Sequence, residues 1–357
     1  MTPDTLQEKL QSKRPAENGL LANMPGASLA SKKQKTILVA EHAGYCHGVE
    51  KAVRKTLAVG EKERQKQQPI LPLPDDASDD KLLSTIESVQ RANNHKNGKP
   101  VYVLGQLIHN RQVIDYLSGQ GITTVSSLDE VPDESVCVIR THGAPPELVE
   151  AAKARGIEVA DATCPDVRLV QNKAIQLAEE GYTVVVVGKA EHPEVIGIVA
   201  YSKRIPGSHI VAVNKPSDLE EALKDIPTRR VGVVSQTTQM EETFFETVKA
   251  LSKIAKELKV FNTICPATFF RQNSALELAK KVDYMVVIGG KNSSNTTHLA
   301  EICLEEGTPS IHVETYEELK VPEVHQALSA ASVIGVTAGA STPDWLIEEA
   351  LTYLKTL

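Results

Sequence analysis

The chain of 357 residues has material for roughly two or three domains; its 41% hydrophobic and 24% charged residues exclude a disulfide miniprotein, a disordered scaffold and a coiled coil. A net charge of −7 with 1 Trp, 8 Tyr and 5 Phe offers neither the basic surface nor the stacking platform of a nucleic-acid binder. The longest apolar runs, such as Thr183–Val187 and Tyr284–Ile288, fall far short of the ~20 residues a membrane span needs, so neither nucleic acid nor membrane is an expected partner.

Residues 1–35 are polar and aperiodic and read as a flexible N-terminal extension. A transit peptide, with a plastid stroma as the destination, is the alternative, although such peptides are poor in acids and Asp4, Glu8 and Glu17 stand here. From Thr36 onward the chain repeats itself. A strand, a turn with Cys46 and an amphipathic helix come first; a polar, proline-containing insert at about 61–99 follows. A strand from Val101 then leads to a loop with His109, and a strand from Val136 to a loop with Thr141 and His142. The same three steps recur with Cys164, then His192 and Glu194, then Gln236, Thr237 and Thr238. They recur again with Cys265, then Asn292, Ser293, Ser294 and Asn295, then Ser341 and Thr342. Cys164 lies 28 residues before His192 and Cys265 lies 27 before Asn292, against 63 between Cys46 and His109; the excess matches the insert. Strands alternating with helices imply parallel sheets with right-handed crossovers. The expected fold is therefore α/β: three small lobes with parallel sheets around a pseudo-threefold axis, their strand-end loops pointing inward. The expected boundaries are lobe 1 at 36–160, lobe 2 at 161–261 and lobe 3 at 262–357.

Ligands bind at the carboxyl ends of parallel strands, which is where the polar residues gather. One cysteine per lobe would supply three thiolates, a set for soft metals. An iron–sulfur cluster normally takes four cysteines, so three would leave one iron open to substrate. Zinc on the same three thiolates is the competing metal, and a buried, purely structural role is the ordinary one for a single cysteine. Cys137, within a strand, and Cys303, within a helix, fit that ordinary role. Five widely spaced cysteines and no apolar leader point to a reducing cytoplasm, where gathered cysteines act as ligands or catalysts. His109, His142 and His192, one from each of three strand-end loops, suggest an anionic ligand or a metal. Hydroxyls and amides ahead of helices suit a phosphate or diphosphate, although N-capping is their commoner task. Glu194, beside His192, is the candidate proton donor; its ordinary alternative is to answer a helix dipole.

The motifs Gly-Tyr-Cys46-His-Gly-Val, Ile-His109-Asn, Thr-His142-Gly, Asp-Ala-Thr-Cys164-Pro, His192-Pro-Glu194-Val, Ser-Gln236-Thr237-Thr238, Ile-Cys265-Pro-Ala-Thr, Lys-Asn-Ser293-Ser294-Asn295 and Thr-Ala-Gly-Ala-Ser341 resemble, in order over about residues 36–347, the 4-hydroxy-3-methylbut-2-enyl diphosphate reductase family. The resemblance implies that the three lobes form a pseudo-threefold trefoil around a central metal cluster, a [4Fe–4S] cluster on Cys46, Cys164 and Cys265. It implies reductive loss of the allylic hydroxyl as water, giving isopentenyl and dimethylallyl diphosphates, with electrons from an external donor such as a ferredoxin or flavodoxin system. It further implies that His109, His142, Ser293, Asn295 and Ser341 hold the diphosphate with His192, Ser294 and Thr238 nearby, that Glu194 feeds protons, and that Thr237 with Gln236 orders the hydroxyl and water.

The chain departs from the family pattern at His47, where hydrogen bonding would tune a cluster, at Phe269 and Phe270 after the third cysteine, in the insert, and in stopping at Leu357 soon after Ser341. A cofactorless α/β transferase or isomerase of a phosphorylated metabolite, with structural cysteines, is the alternative function. A zinc-dependent binding module is a third.

Overall fold

A computed structural model describes residues 35–67 and 98–357; residues 1–34 of the expected extension and 68–97 of the expected insert lie outside them. In chain order the strands are β1 (Thr36–Val39), β2 (Val101–Leu104), β3 (Ile122–Val125), β4 (Val136–Ile139), β5 (Glu158–Asp161), β6 (Thr183–Val187), β7 (Ile210–Val213), β8 (Arg230–Ser235), β9 (Glu257–Val260), β10 (Tyr284–Ile288), β11 (Ser310–Val313) and β12 (Val333–Ala338). They form three four-stranded sheets of one design, ordered β3-β2-β4-β5, β7-β6-β8-β9 and β11-β10-β12-β1. Every pairing is parallel. Helices cover both faces of such sheets, so the central strands read as unbroken apolar runs rather than alternating ones. Thr183–Val187 is buried at all five positions, and β10 is buried from Met285 to Ile288.

Two features differ from the sequence expectation. Each sheet has a strand beyond the repeat, namely β3, β7 and β11, which are short and only partly buried. More consequentially, β1, expected in the first lobe, pairs with β12 in the third sheet, Thr36 opposite Val333. It takes there the place that β5 and β9 take in the other two sheets, satisfying an edge of β12 that would otherwise be open. The first described strand therefore belongs to the last sheet.

That closure makes each cysteine a crossing point. β5 ends the first sheet, and the helix Pro165–Glu179 after Cys164 packs on β6 and β8 of the second. β9 ends the second sheet, and the helix Pro266–Ala279 after Cys265 packs on β12 and on the helix Ser294–Glu305 of the third. β1 ends the third sheet, and the helix His47–Gln67 after Cys46 packs on β2 of the first. This last helix runs on through Glu61–Gln67, so the start of the expected insert is helical. Buried Glu63 clamps the far end, accepting from Lys66 Nζ at 2.6 Å and from Lys99 N at 3.0 Å. No helix among the described residues is long and apolar enough to cross a membrane.

Candidate active site

The three cysteines are held alike. Each donates its backbone N–H to a loop carbonyl at the end of the neighbouring strand: Cys46 to Ala340 at 3.1 Å, Cys164 to Thr141 at 2.9 Å and Cys265 to Thr237 at 3.0 Å. Each also stands immediately before a helix. Pro165 and Pro266 open two of those helices, where a missing N–H costs nothing and the fixed φ is already helical. The sulfurs face helix N-termini: Cys46 Sγ accepts from Val49 N at 3.4 Å and Cys265 Sγ from Thr268 N at 3.4 Å. Burial pushes the Cys164 thiol up to about 11 and also raises Cys265, with helix N–H groups opposing the rise in both. A bound cation would reverse that balance, because metals take thiolates.

Space between the sulfurs is kept by Gly48. A Cβ there would lie 2.5 Å from Cys164 Sγ and 3.9 Å from Cys46 Sγ. Behind them Arg271, buried, donates to Gly44 O at 2.7 Å and Ala267 O at 3.0 Å and lies near enough to Cys46 and Cys265 for their charge to act on it. Cys137 and Cys303 are wholly buried in apolar cores away from this cavity.

His109, His142 and His192 meet at the cavity's other side. Their ring centroids are 4.4 Å (His109–His142), 5.5 Å (His109–His192) and 5.2 Å (His142–His192) apart, and one nitrogen from each lies within 4.8 Å of the others. All three are held neutral. Burial, then Arg140, brings His109 down to about 4; burial, then His109, Arg140 and Lys189, brings His192 to about 3. His142 is lowered well below its ordinary value by burial, then by His109, His192 and Arg140. His109 Nε2 and His142 Nδ1 are buried without a hydrogen-bond partner among the described residues, and such atoms are costly unless a ligand meets them.

Ser293, Ser294, Asn295 and Ser341 line the same cavity. Ser293 caps the helix Ser294–Glu305 by accepting from Thr296 N at 3.3 Å, and Asn295 Oδ1 accepts from Ala340 N at 2.9 Å. Ser341 Oγ donates to His109 O at 3.1 Å, joining the third sheet's loops to the first's. Asn295 Nδ2 has no hydrogen-bond partner among the described residues.

Glu194 is 1% exposed and gripped by Thr237, whose N–H donates to Oε1 and whose hydroxyl donates to Oε2, both at 2.7 Å. Burial nevertheless raises the carboxyl to about 7, with Asp166 adding to the rise. Asp166 lines the cavity two residues past Cys164, a second carboxylate that the strand-end loops do not reveal because it sits in a helix's first turn. Gln236 alone of the expected site residues does not line the cavity: its amide donates to Thr238 Oγ1 at 2.9 Å and accepts from Lys189 N at 3.2 Å. It braces Thr238 from behind, because β8 turns it away from the cavity. His47, Phe269 and Phe270 are exposed.

Fold and cavity define a class: a three-sheet parallel α/β protein in which three thiols, three neutral imidazoles and a buried protonatable carboxyl share one cavity. The chain belongs to the LytB protein family, whose model matches residues 83–355. It is similar to the 4-hydroxy-3-methylbut-2-enyl diphosphate reductase of Aquifex aeolicus, with 42% identity over 88% of this chain and 93% of the relative. A solved structure of (E)-4-hydroxy-3-methyl-but-2-enyl diphosphate reductase, the terminal enzyme of the non-mevalonate pathway, is 40% identical, covers 90% of this chain and all of its own, and superposes with a TM-score of 0.59. The reductase from Plasmodium falciparum, 23% identical, covers 91% of this chain and 88% of its own and shares the fold with a TM-score of 0.73.

Proposed function

We propose that the chain reduces 4-hydroxy-3-methylbut-2-enyl diphosphate to isopentenyl and dimethylallyl diphosphates in the cytoplasm, or in a plastid stroma if residues 1–35 are a transit peptide, on a [4Fe–4S] cluster held by Cys46, Cys164 and Cys265. The observation that carries this is the meeting, in one cavity, of a thiol from each cysteine turn with the histidine trio and the Glu194–Thr237 pair.

The residues fit such a cluster. Three thiols offer soft donors, and Gly48 keeps room between two of them. When bound, a cluster with three protein ligands supplies two electrons and an iron able to polarise the substrate hydroxyl. An external one-electron carrier, a ferredoxin or flavodoxin, replenishes them.

The chain's own part is binding and proton delivery. An anion, rather than a cation, suits the histidine trio, because the side chains whose charges act on it are Arg140 and Lys189. Hydroxyls and amides of Ser293, Ser294, Asn295, Ser341 and Thr238 would complete the shell of a diphosphate. Loss of the hydroxyl as water consumes two electrons and two protons: one proton goes to the leaving oxygen and one to the allylic carbon. At neutral pH Glu194 is divided between its two forms, the condition for a general acid. Thr237, bonded to its carboxyl and lining the cavity beside it, can pass the proton on while orienting the hydroxyl.

Anaerobically prepared protein tests this reading. It should be brown, carry four irons and four sulfides per chain by the proposal, and convert the allylic diphosphate when given a reduced dye. Colourless protein with full turnover would reject it in favour of a cofactorless transferase or isomerase.

A further inference from the structure

The cavity that meets the diphosphate carries no charged imidazole, so the charge that attracts a polyanion must come from elsewhere. Arg140 follows β4 and precedes Thr141 and His142. Its side chain folds back over the start of the loop that leads to His109: a Cβ at Gly105, whose φ is +72°, would lie 2.3 Å from one guanidinium nitrogen and 2.9 Å from the central carbon. Only a glycine leaves that seat open. The guanidinium is partly buried, and among the described residues no carboxylate pairs with it or offsets its burial. Its charge is nonetheless felt by all three histidines. Arg155, Arg168, Arg204 and Arg230, by contrast, each pair with a carboxylate, and Arg271 spends two of its nitrogens on backbone carbonyls.

Resting on the diphosphate reading above, we propose that Arg140 is the fixed positive charge of the anion subsite, held uncompensated behind His109 and His142 until the diphosphate neutralises it. A buried cation without a counter-ion destabilises the ligand-free fold, and the fold retains it because the ligand supplies the missing charge. The histidines then act as neutral donors at the surface of the subsite, and Arg140 supplies its field from behind them.

The test uses the full chain with its cluster, inorganic diphosphate as probe, and equilibrium dialysis at two salt concentrations. Arg140→Gln should weaken diphosphate binding about tenfold or more and flatten its salt dependence, since one fixed charge has gone. Arg140→Lys should recover most of the affinity. Iron content should be unchanged, and the ligand-free melting temperature of Arg140→Gln should equal or exceed that of the wild type, a result a merely structural arginine would not give. Diphosphate binding by Arg140→Gln within twofold of wild type overturns the inference, as does a lowered melting temperature with affinity that lysine fails to restore. If the wild type itself ignores diphosphate, the reading beneath this inference falls with it.

Discussion

Replacing Glu194 by Gln asks whether the buried carboxyl is the proton source. Its pKa stands at about 7 against an ordinary 4.5, so ionising it in the fold costs about 3 kcal/mol more than in water. The cause is burial, and the bonds from Thr237 only partly offset it. Because the folded value exceeds the unfolded one, this group's contribution to stability is full below pH 4.5 and is lost as the pH rises through about 7. The glutamine can still accept the Thr237 N–H but has no proton to give. Turnover should fall at least about a hundredfold, the low end of the effect of a positioned general acid, with the loss in kcat rather than KM. The assay is anaerobic reduction of the allylic diphosphate from pH 6 to 9. Wild-type kcat should decline above about pH 7, and the variant should lose that limb. At pH 8 the ligand-free variant should melt no lower than wild type, because a charged buried group has been removed. Turnover of Glu194→Gln within fivefold of wild type would refute the reasoning and return Glu194 to a helix-capping role.

Cys164→Ser should lose most of its iron while Cys303→Ser, in an apolar core, keeps it; iron and sulfide analysis separates the two, and equal iron in both would remove the ligand assignment. Gly48→Ala should also lose iron with the fold intact by circular dichroism, since the new Cβ would meet Cys164 Sγ at 2.5 Å; normal iron content would show that the turn can yield. Asp166→Asn removes a charge that raises Glu194, so the alkaline limb of kcat should move to lower pH, and an unmoved limb would deny Asp166 any influence on the acid.

Much of this site could be read from residue order because its parts are local. A cysteine between a strand and a helix-opening proline, or a histidine at a strand end, fixes its own direction through the chain on either side. The pairing of β1 with β12 could not be read that way: nothing in Thr36–Val39 names a partner almost three hundred residues away, and only completion of the third sheet selects it. β7 and β11 are four residues each and partly buried, too short to stand out from a loop. Arg140, Asp166 and Arg271 escaped because each reaches the site by the length or tilt of its side chain, and no motif marks such reach. Gln236 is set apart from its neighbours. Its neighbours Thr237 and Thr238 line the cavity, while its own side chain braces Thr238 and the backbone of Lys189.

The central claim is that three thiols, and only three, hold a four-iron cluster beside an anion site. Mössbauer spectroscopy of ⁵⁷Fe-loaded, anaerobic protein tests it most directly. The account predicts one iron in four distinct from the rest, with its signal alone moving when the allylic diphosphate is added and unmoved by it in Cys164→Ser, which holds little cluster. Four equivalent irons that ignore the substrate, or protein without iron that still turns over, would contradict it.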